Sequence, residues 1–267
     1  MITTIQRSPA WGHRWRRFAA PLILAFAGFA QAQTLDNAAA PGAWAFTVSP
    51  YLWAAGIKGQ AATLPNLPPS EVNESFSDIW DDLKFAGMIV GRARNGRFAI
   101  AGDLQYVETT ADGETPGPLY GDTELTSKSF LLSALGEYII AEQGNSSFGV
   151  LGGARFWSVD TRLELDSGLL PGRSISDSET WLDPMIGVRG NLDLNDRWFL
   201  TGWGFLGGFG VGSDLMADVF GGLGYRFSRP GLSTVIGYRW MKVDYEDGDF
   251  LYDVEQQGIM AGMIFRF

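Results

Sequence analysis

The sequence has no cysteine and a single histidine, His13, in 267 residues. Without cysteine there is no disulfide, no thiolate metal site and no lipid-bearing cysteine anchor. Past residue 13 there is also no imidazole, which removes Ser-His, Cys-His and Asp-His catalytic arrangements and histidine metal sites. Long apolar runs are lacking too. The longest, Ala19 to Ala30, has 12 residues, short of the roughly 20 that a membrane helix needs. Basic residues are scarce, 20 against 30 acidic, so there is no basic stripe of the kind a general nucleic-acid surface requires.

That apolar stretch follows Arg7, Arg14, Arg16 and Arg17 and ends in Ala30-Gln31-Ala32. A basic start, a short apolar core and an A-x-A site predict a secretory signal peptide over residues 1–32, cut after Ala32. Residues 33–43 read as a short periplasmic lead-in and 44–267 as one barrel domain. Removing the signal with its four arginines leaves 16 basic and 30 acidic residues, a net charge of −14.

Glycine (35), phenylalanine (18), tryptophan (10) and tyrosine (8) are abundant, as in all-β chains with tight turns and close strand packing. A strand-then-turn unit repeats throughout. Strands are predicted near 44–58, 84–94, 97–108, 124–141, 147–163, 178–194, 197–210, 214–227, 232–245 and 251–267, ten in all with both ends on one side. Short connections at 95–96, 143–146, 194–196 and 228–231 alternate with longer ones at 59–83, 109–123, 164–177 and 246–250, and 211–213 is an exception. Short inner turns alternating with longer outer loops are the habit of membrane barrels. Asn95-Gly96 is a strong two-residue hairpin signal. Centred there, it pairs Arg94 with Arg97 and sorts one apolar face (Phe85, Ile89, Phe98, Ile100, Leu104, Tyr106) from one that carries the charge (Arg92, Asp103).

Later strands divide the same way. Leu182, Ile186, Val188 and Leu192 oppose Asp183, Met185 and Arg189; Ile236, Tyr238 and Trp240 oppose Val235, Arg239 and Met241; Ile259, Met263, Phe265 and Phe267 oppose Met260, Ile264 and Arg266. Rings near the strand ends of the apolar face suit interfacial girdles, and packing so many rings inside ten strands strains the volume. The expected fold is therefore an all-β, transmembrane, antiparallel up-and-down barrel of about ten strands, apolar outside. Strand 197–210 has rings on both faces and its orientation stays open. The lumen is then predicted to hold a charge network of Arg92, Asp103, Glu137, Arg155, Asp183, Arg189, Asp218, Arg226, Arg239 and Arg266. Met263, Phe265 and the terminal Phe267 have the form of the outer-membrane assembly signal.

Several motifs stand out: SPYLWAAG from Ser49, SFSDI from Ser75, WLDPMIGVR from Trp181, GGFGVGSD from Gly207, GLGYRF from Gly222 and GYR from Gly237. As a set they resemble a family of largely uncharacterised bacterial outer-membrane β-barrel proteins, over nearly the whole chain after the signal. The resemblance implies that fold and a bacterial outer-membrane location; it carries no established activity or functional residue. The chain departs from the family pattern at Arg92, where an acid is usual, and at Trp203 and Phe205, which replace polar residues.

The Gly207–Ser213 run follows a strand, but no helix or lysine accompanies it, so it reads as close packing and a tight outer turn rather than a phosphate loop. The acids of 244–249 lack the closing glutamate of a calcium loop; they read as a solvated loop, or one that bridges divalent cations to lipopolysaccharide phosphates. No carboxylate pair marks a glycosidase. The sequence thus points to a structural or surface-interaction role with a side-chain-filled polar lumen, the alternative being a narrow passive channel for small solutes or ions. An enzyme is disfavoured. No cofactor is called for. The partners implied are outer-membrane lipid and lipopolysaccharide, the barrel assembly machinery and periplasmic chaperones.

Overall fold

A computed structural model describes residues 43–65, 68–115 and 117–267. The predicted signal peptide 1–32, and the lead-in as far as residue 42, lie outside the described residues. The described chain runs β1 (Ala45–Ala62), β2 (Ser70–Glu74), α1 (Phe76–Asp82), β3 (Leu83–Asn95), β4 (Phe98–Glu114), β5 (Tyr120–Gln143), β6 (Ser146–Ser167), β7 (Arg173–Asp193), β8 (Trp198–Gly208), β9 (Leu215–Arg226), β10 (Leu232–Asp247) and β11 (Phe250–Arg266). Each wall strand pairs antiparallel with the next, and β11 closes on β1 from Thr47↔Arg266 to Ala62↔Leu251. The result is a closed up-and-down barrel of ten strands, with β2 as an eleventh, short strand beside β1.

The apolar face points outward. Phe98, Ile100, Leu182, Ile186, Ile236 and Ile259 are exposed, while their alternates Ala99, Ala101, Asp183, Met185, Val235 and Met260 are buried. Outward rings form two levels. Phe98 and Tyr106 on β4, Tyr138 and Phe130 on β5, and Phe148 and Phe156 on β6 are each eight residues apart. Phe98 packs on Tyr138 at one level, and Phe130 on Phe156 at the other. Eight residues of strand span roughly 27 Å, or about 21 Å in height at a typical tilt, close to the apolar band of outer-membrane barrels. Between the two levels these strands turn outward only Ile100, Gly102, Leu104, Leu132, Ala134, Gly136, Val150, Gly152 and Ala154. Above the upper rings charge begins at once, with Lys128 paired to Glu108 at 3.5 Å. This is a transmembrane barrel.

Register corrects the first hairpin. The loop is Gly96-Arg97, not Asn95-Gly96, and Asn95 pairs with Phe98. Only Gly96 takes a positive φ, 58°, at the first central position, where a type II′ turn places glycine. The shift moves the partners by two residues, so the two faces are unchanged. Most of the expected long loops at 109–123 and 164–177 are strand: β4 reaches Glu114, β5 starts at Tyr120, β6 reaches Ser167 and β7 starts at Arg173. Here the walls stand in water on both sides, so hydrophobic alternation disappears while strand-forming Thr109, Thr110, Thr123, Thr126, Thr161 and Ile175 remain. The expected loop 246–250 shrinks to a tight turn around Gly248, φ 58°.

The expected loop 59–83 likewise holds structure, the end of β1, β2 and α1. The β1–β3 ladder ends at Pro50↔Ile89, where proline has no N–H to continue it. Above that point β1 takes β2 as its neighbour, and Ser75 caps α1 in a capping box with Asp78.

Strand 197–210 also resolves. Trp198, Leu200 and Leu206 face out, while Phe199, Trp203 and Phe205 face the lumen. Rings fit inside because glycines stand opposite them. A Cβ on Gly187 would meet the Phe205 ring at 2.2 Å, and one on Gly224 the Phe199 ring at 2.1 Å. The volume argument against interior rings therefore holds only where no glycine makes room.

Candidate functional site: the barrel lumen

Alternation on ten strands turns one face of each inward, and at mid-height these faces bring together residues far apart in sequence. Asp218 on β9 is the centre. Arg239 on β10 grips it with two bonds, Nε to Oδ1 at 3.0 Å and Nη2 to Oδ2 at 2.7 Å. Arg155 on β6 adds Nη2 to Oδ2 at 2.7 Å, and the Trp203 indole donates to Oδ1 at 3.2 Å. Arg239 also reaches Asp103 at 3.3 Å and the Tyr51 hydroxyl at 3.2 Å, and that hydroxyl donates to Asp103 at 2.7 Å. Its guanidinium lies 4.8 Å from the Trp53 ring centre and 5.6 Å from that of Trp203. Arg155 further donates to Ser133 at 2.9 Å, and Gln105 donates to Asp103 at 3.0 Å. Arg155 and Arg239 are each 1 % exposed and Asp218 is 0 %.

Charges taken out of water persist only when paired and fully hydrogen-bonded. The ring neighbours add cation–π attraction and exclude solvent. Two cations against Asp218, with Asp103 beside them, leave this level balanced. Through Arg155–Asp218 and Arg239–Asp103 it links β6 and β4 on one side of the barrel to β9 and β10 on the other.

Above lies an aromatic level. Trp157, Trp181 and Tyr245 stack, with ring centres 5.5 Å and 4.1 Å apart, and Phe250 and Tyr252 tilt against Trp181. Tyr245 sits beyond the first 11 residues of β10, past the ~9–11 residues that a span uses. Burial, aided by the adjacent Glu179 carboxylate, pushes its hydroxyl up to about 12. It stays protonated and donates to Glu179 at 3.3 Å. Below the central level, Glu137 takes both Nε and Nη2 of Arg92, at 2.7 and 3.1 Å, and lies 3.6 Å from Arg189.

Three of the sequence-predicted lumen charges share the inward face but stand outside these two clusters. Asp183 has no arginine partner among the described residues; its oxygens accept the Ser213 backbone N–H at 2.6 Å and hydroxyl at 2.8 Å, which ties the Gly-rich β8–β9 turn to β7. Ser213 can come so close because Gly212, where a Cβ would meet Leu182 O at 2.6 Å, has no side chain. Arg226 pairs with Asp193, a residue not predicted for the lumen. Arg266 is exposed at the barrel end and has no ion pair among the described residues. Arg92, Asp103, Glu137, Arg155, Arg189, Asp218 and Arg239 do come together. Sequence reading does not reach Tyr51, Trp53, Ser133 or Ser213; Gln105 falls on the charge-bearing face of the first hairpin with Asp103, and Trp203 on the strand whose orientation stays open. Continuing the alternation into β1, with Leu52 outward, puts Tyr51 and Trp53 inside; Ser213 depends on turn geometry that no pattern encodes. Of the assembly-signal residues, Phe265 and Phe267 are exposed on the outer face, and Phe267 exchanges both backbone hydrogen bonds with Phe46 at the closing seam, at 2.9 and 3.2 Å. Among the described residues no group of three or more acidic or histidine side chains could hold a metal.

Fold and lumen define a class, the transmembrane β-barrels of outer-membrane type. No protein-family model and no curated protein matches the chain. Solved structures do. The translocator domain of the autotransporter NalP from Neisseria meningitidis has a TM-score of 0.50 at 13 % identity, over 87 % of this chain and 91 % of that one. The outer-membrane protease OmpT from Escherichia coli has a TM-score of 0.44 at 9 % identity, over 84 % and 97 %. Ail, the attachment invasion locus protein of Yersinia pestis, has 0.35 at 12 %, over 85 % and 100 %. At these identities the likeness is one of fold alone.

Proposed function

We propose that this chain is a bacterial outer-membrane protein with a sealed lumen, whose work is structural or directed to a partner at the cell surface rather than catalytic or conductive. The observation that carries the proposal is the buried Arg155–Asp218–Arg239 cluster. A channel needs side chains at its narrowest level that water can reach, whereas here the mid-lumen is packed like a protein core. In the usual orientation of such barrels the short turns, the start of β1 and the end of β11 face the periplasm, and a signal peptide cut after Ala32 supplies export.

The outer side supports a surface role. The β4–β7 wall rises well past the upper rings and presents Leu119 and Leu169 at its tip. The β8–β9 turn holds Phe209 at φ 53°, a strained value for a residue with a side chain, and exposes Phe209 and Val211. The apolar belt fits outer-membrane lipid, the acids above it fit lipopolysaccharide phosphates bridged by divalent cations, and Met263, Phe265 and Phe267 fit the barrel assembly machinery after passage with periplasmic chaperones. The absence of histidine beyond His13 argues against an outer-membrane enzyme. Purified protein in a planar bilayer is expected to give no steady conductance. A stable open state with reproducible ion preference would replace this reading with the passive channel.

A further inference from the structure

The molecule carries −14 after the expected cleavage, yet its short-turn end is basic. Arg92, Arg189, Arg226 and Arg266 sit at or near this mouth of the lumen, against Glu137 and Asp193, an excess of two positive charges. Three of the four lie on one arc of the wall. Arg266 on β11 is opposite Thr47 on β1, which is opposite Arg92 on β3. On the other side, Arg226 on β9 is opposite Ser233 on β10, which is opposite Ile264, the inward residue next to Arg266. Thr47 stands between Arg266 and Arg92, and Ser233 and Ile264 stand between Arg226 and Arg266. Strands lie ~4.8 Å apart and rise ~3.3 Å per residue, so Arg92 is about 10 Å along the wall from Arg266 and Arg226 about 12 Å from it, gaps that pairs of such long side chains can close.

Two of these guanidinium groups are incompletely used. Arg226 gives Nη2 to Asp193 and stacks 4.6 Å over the Phe199 ring, but its Nε and Nη1 are buried without a hydrogen-bond partner among the described residues. Leaving such donors buried and unmet is costly. Arg266 has no carboxylate partner among the described residues.

We propose that this mouth is an oxyanion site, in which Arg226 and Arg266, with Arg92 across Thr47, bind the phosphate group of a soluble ligand. A phosphate dianion matches the excess of two charges. Its several acceptor oxygens suit guanidinium groups converging from different strands, as a single carboxylate would not. Alternation turns these side chains towards the lumen, away from the outward Phe265 and Phe267, which favours a soluble source over a lipid headgroup. The site goes beyond the sealed-lumen reading and does not depend on it, since it lies below the Arg239–Asp218 level.

The test is a titration of inorganic phosphate into the folded barrel in lipid-free detergent micelles, against chloride and acetate at equal ionic strength, read by the thermal unfolding midpoint. A saturable rise with phosphate alone is expected. It should vanish in the Arg226→Gln, Arg266→Gln double variant and persist in Arg162→Gln, which removes an exposed outer-wall arginine. If the double variant fails to fold, Arg266→Gln, which breaks no ion pair, should bind roughly tenfold more weakly. A phosphate response no larger than that of chloride or acetate, or one unchanged when Arg266 is replaced, overturns the proposal.

Discussion

Asp218 on β9 and Asp183 on β7, one strand apart across β8, are both carboxylates with no exposed surface, yet their surroundings differ in kind. Asp218 neutralises two arginines, whereas Asp183 receives a backbone N–H and a hydroxyl. Asp218→Asn therefore leaves Arg155 and Arg239 buried with only Asp103 near one of them, and should cost about 3–5 kcal/mol. Asp183→Asn keeps a carbonyl oxygen for the Ser213 N–H and should cost about 1 kcal/mol. Urea unfolding in micelles compares the two, and equal losses would contradict the assignment. At this scale the sequence was informative about which residues face inward and silent about which partners they choose. Alternation named Arg239 and Asp218 as lumen residues, but pairing depends on strand stagger and rotamer, and so Asp193 and Ser213 escaped.

Among the elements, glycine decides how closely walls and rings approach. A Cβ on Gly237 would lie 2.3 Å from Gly221 O and 2.5 Å from Gly222 Cα, while one on Gly221 meets nothing within 4 Å. Gly237→Ala should thus destabilise the barrel by about 1–3 kcal/mol, and Gly221→Ala by less than about 0.5 kcal/mol; a reversed order would refute the register of β9 and β10. Closure offers a second test. Deleting Phe267 removes both an outward ring and the paired bonds to Phe46, so membrane insertion should slow while secretion continues, as pulse-chase folding in cells would record; unchanged kinetics would count against it. The ten wall strands were legible because, within the membrane, lipid on one side and the charge-bearing lumen on the other impose alternation, β8 with rings on both faces being the exception. Above the upper rings water lies on both sides, the pattern fades, and the extensions of β4–β7 passed for loops. The insert of β2 and α1 was unreadable for the same reason, although the Ser75–Asp78 capping box marked a helix start.

For the whole molecule, the paired ring levels fix where lipid lies, and the Arg155–Asp218–Arg239 level lies across the middle of the lumen. Absence of cysteine makes the chain a clean background for single substitutions. Three inward positions sample the lumen: Ser127 towards the outer end, Ser133 at 1 % exposure beside Arg155, and Ser49 near the short turns. With a small membrane-impermeant thiol reagent on intact cells and then on permeabilised ones, Ser127→Cys should react from outside and Ser49→Cys only after permeabilisation. Ser133→Cys should stay unmodified from either side while the protein remains folded. Rapid modification of Ser133→Cys in the folded barrel would mean that water passes the central charge level, and the sealed lumen would be wrong.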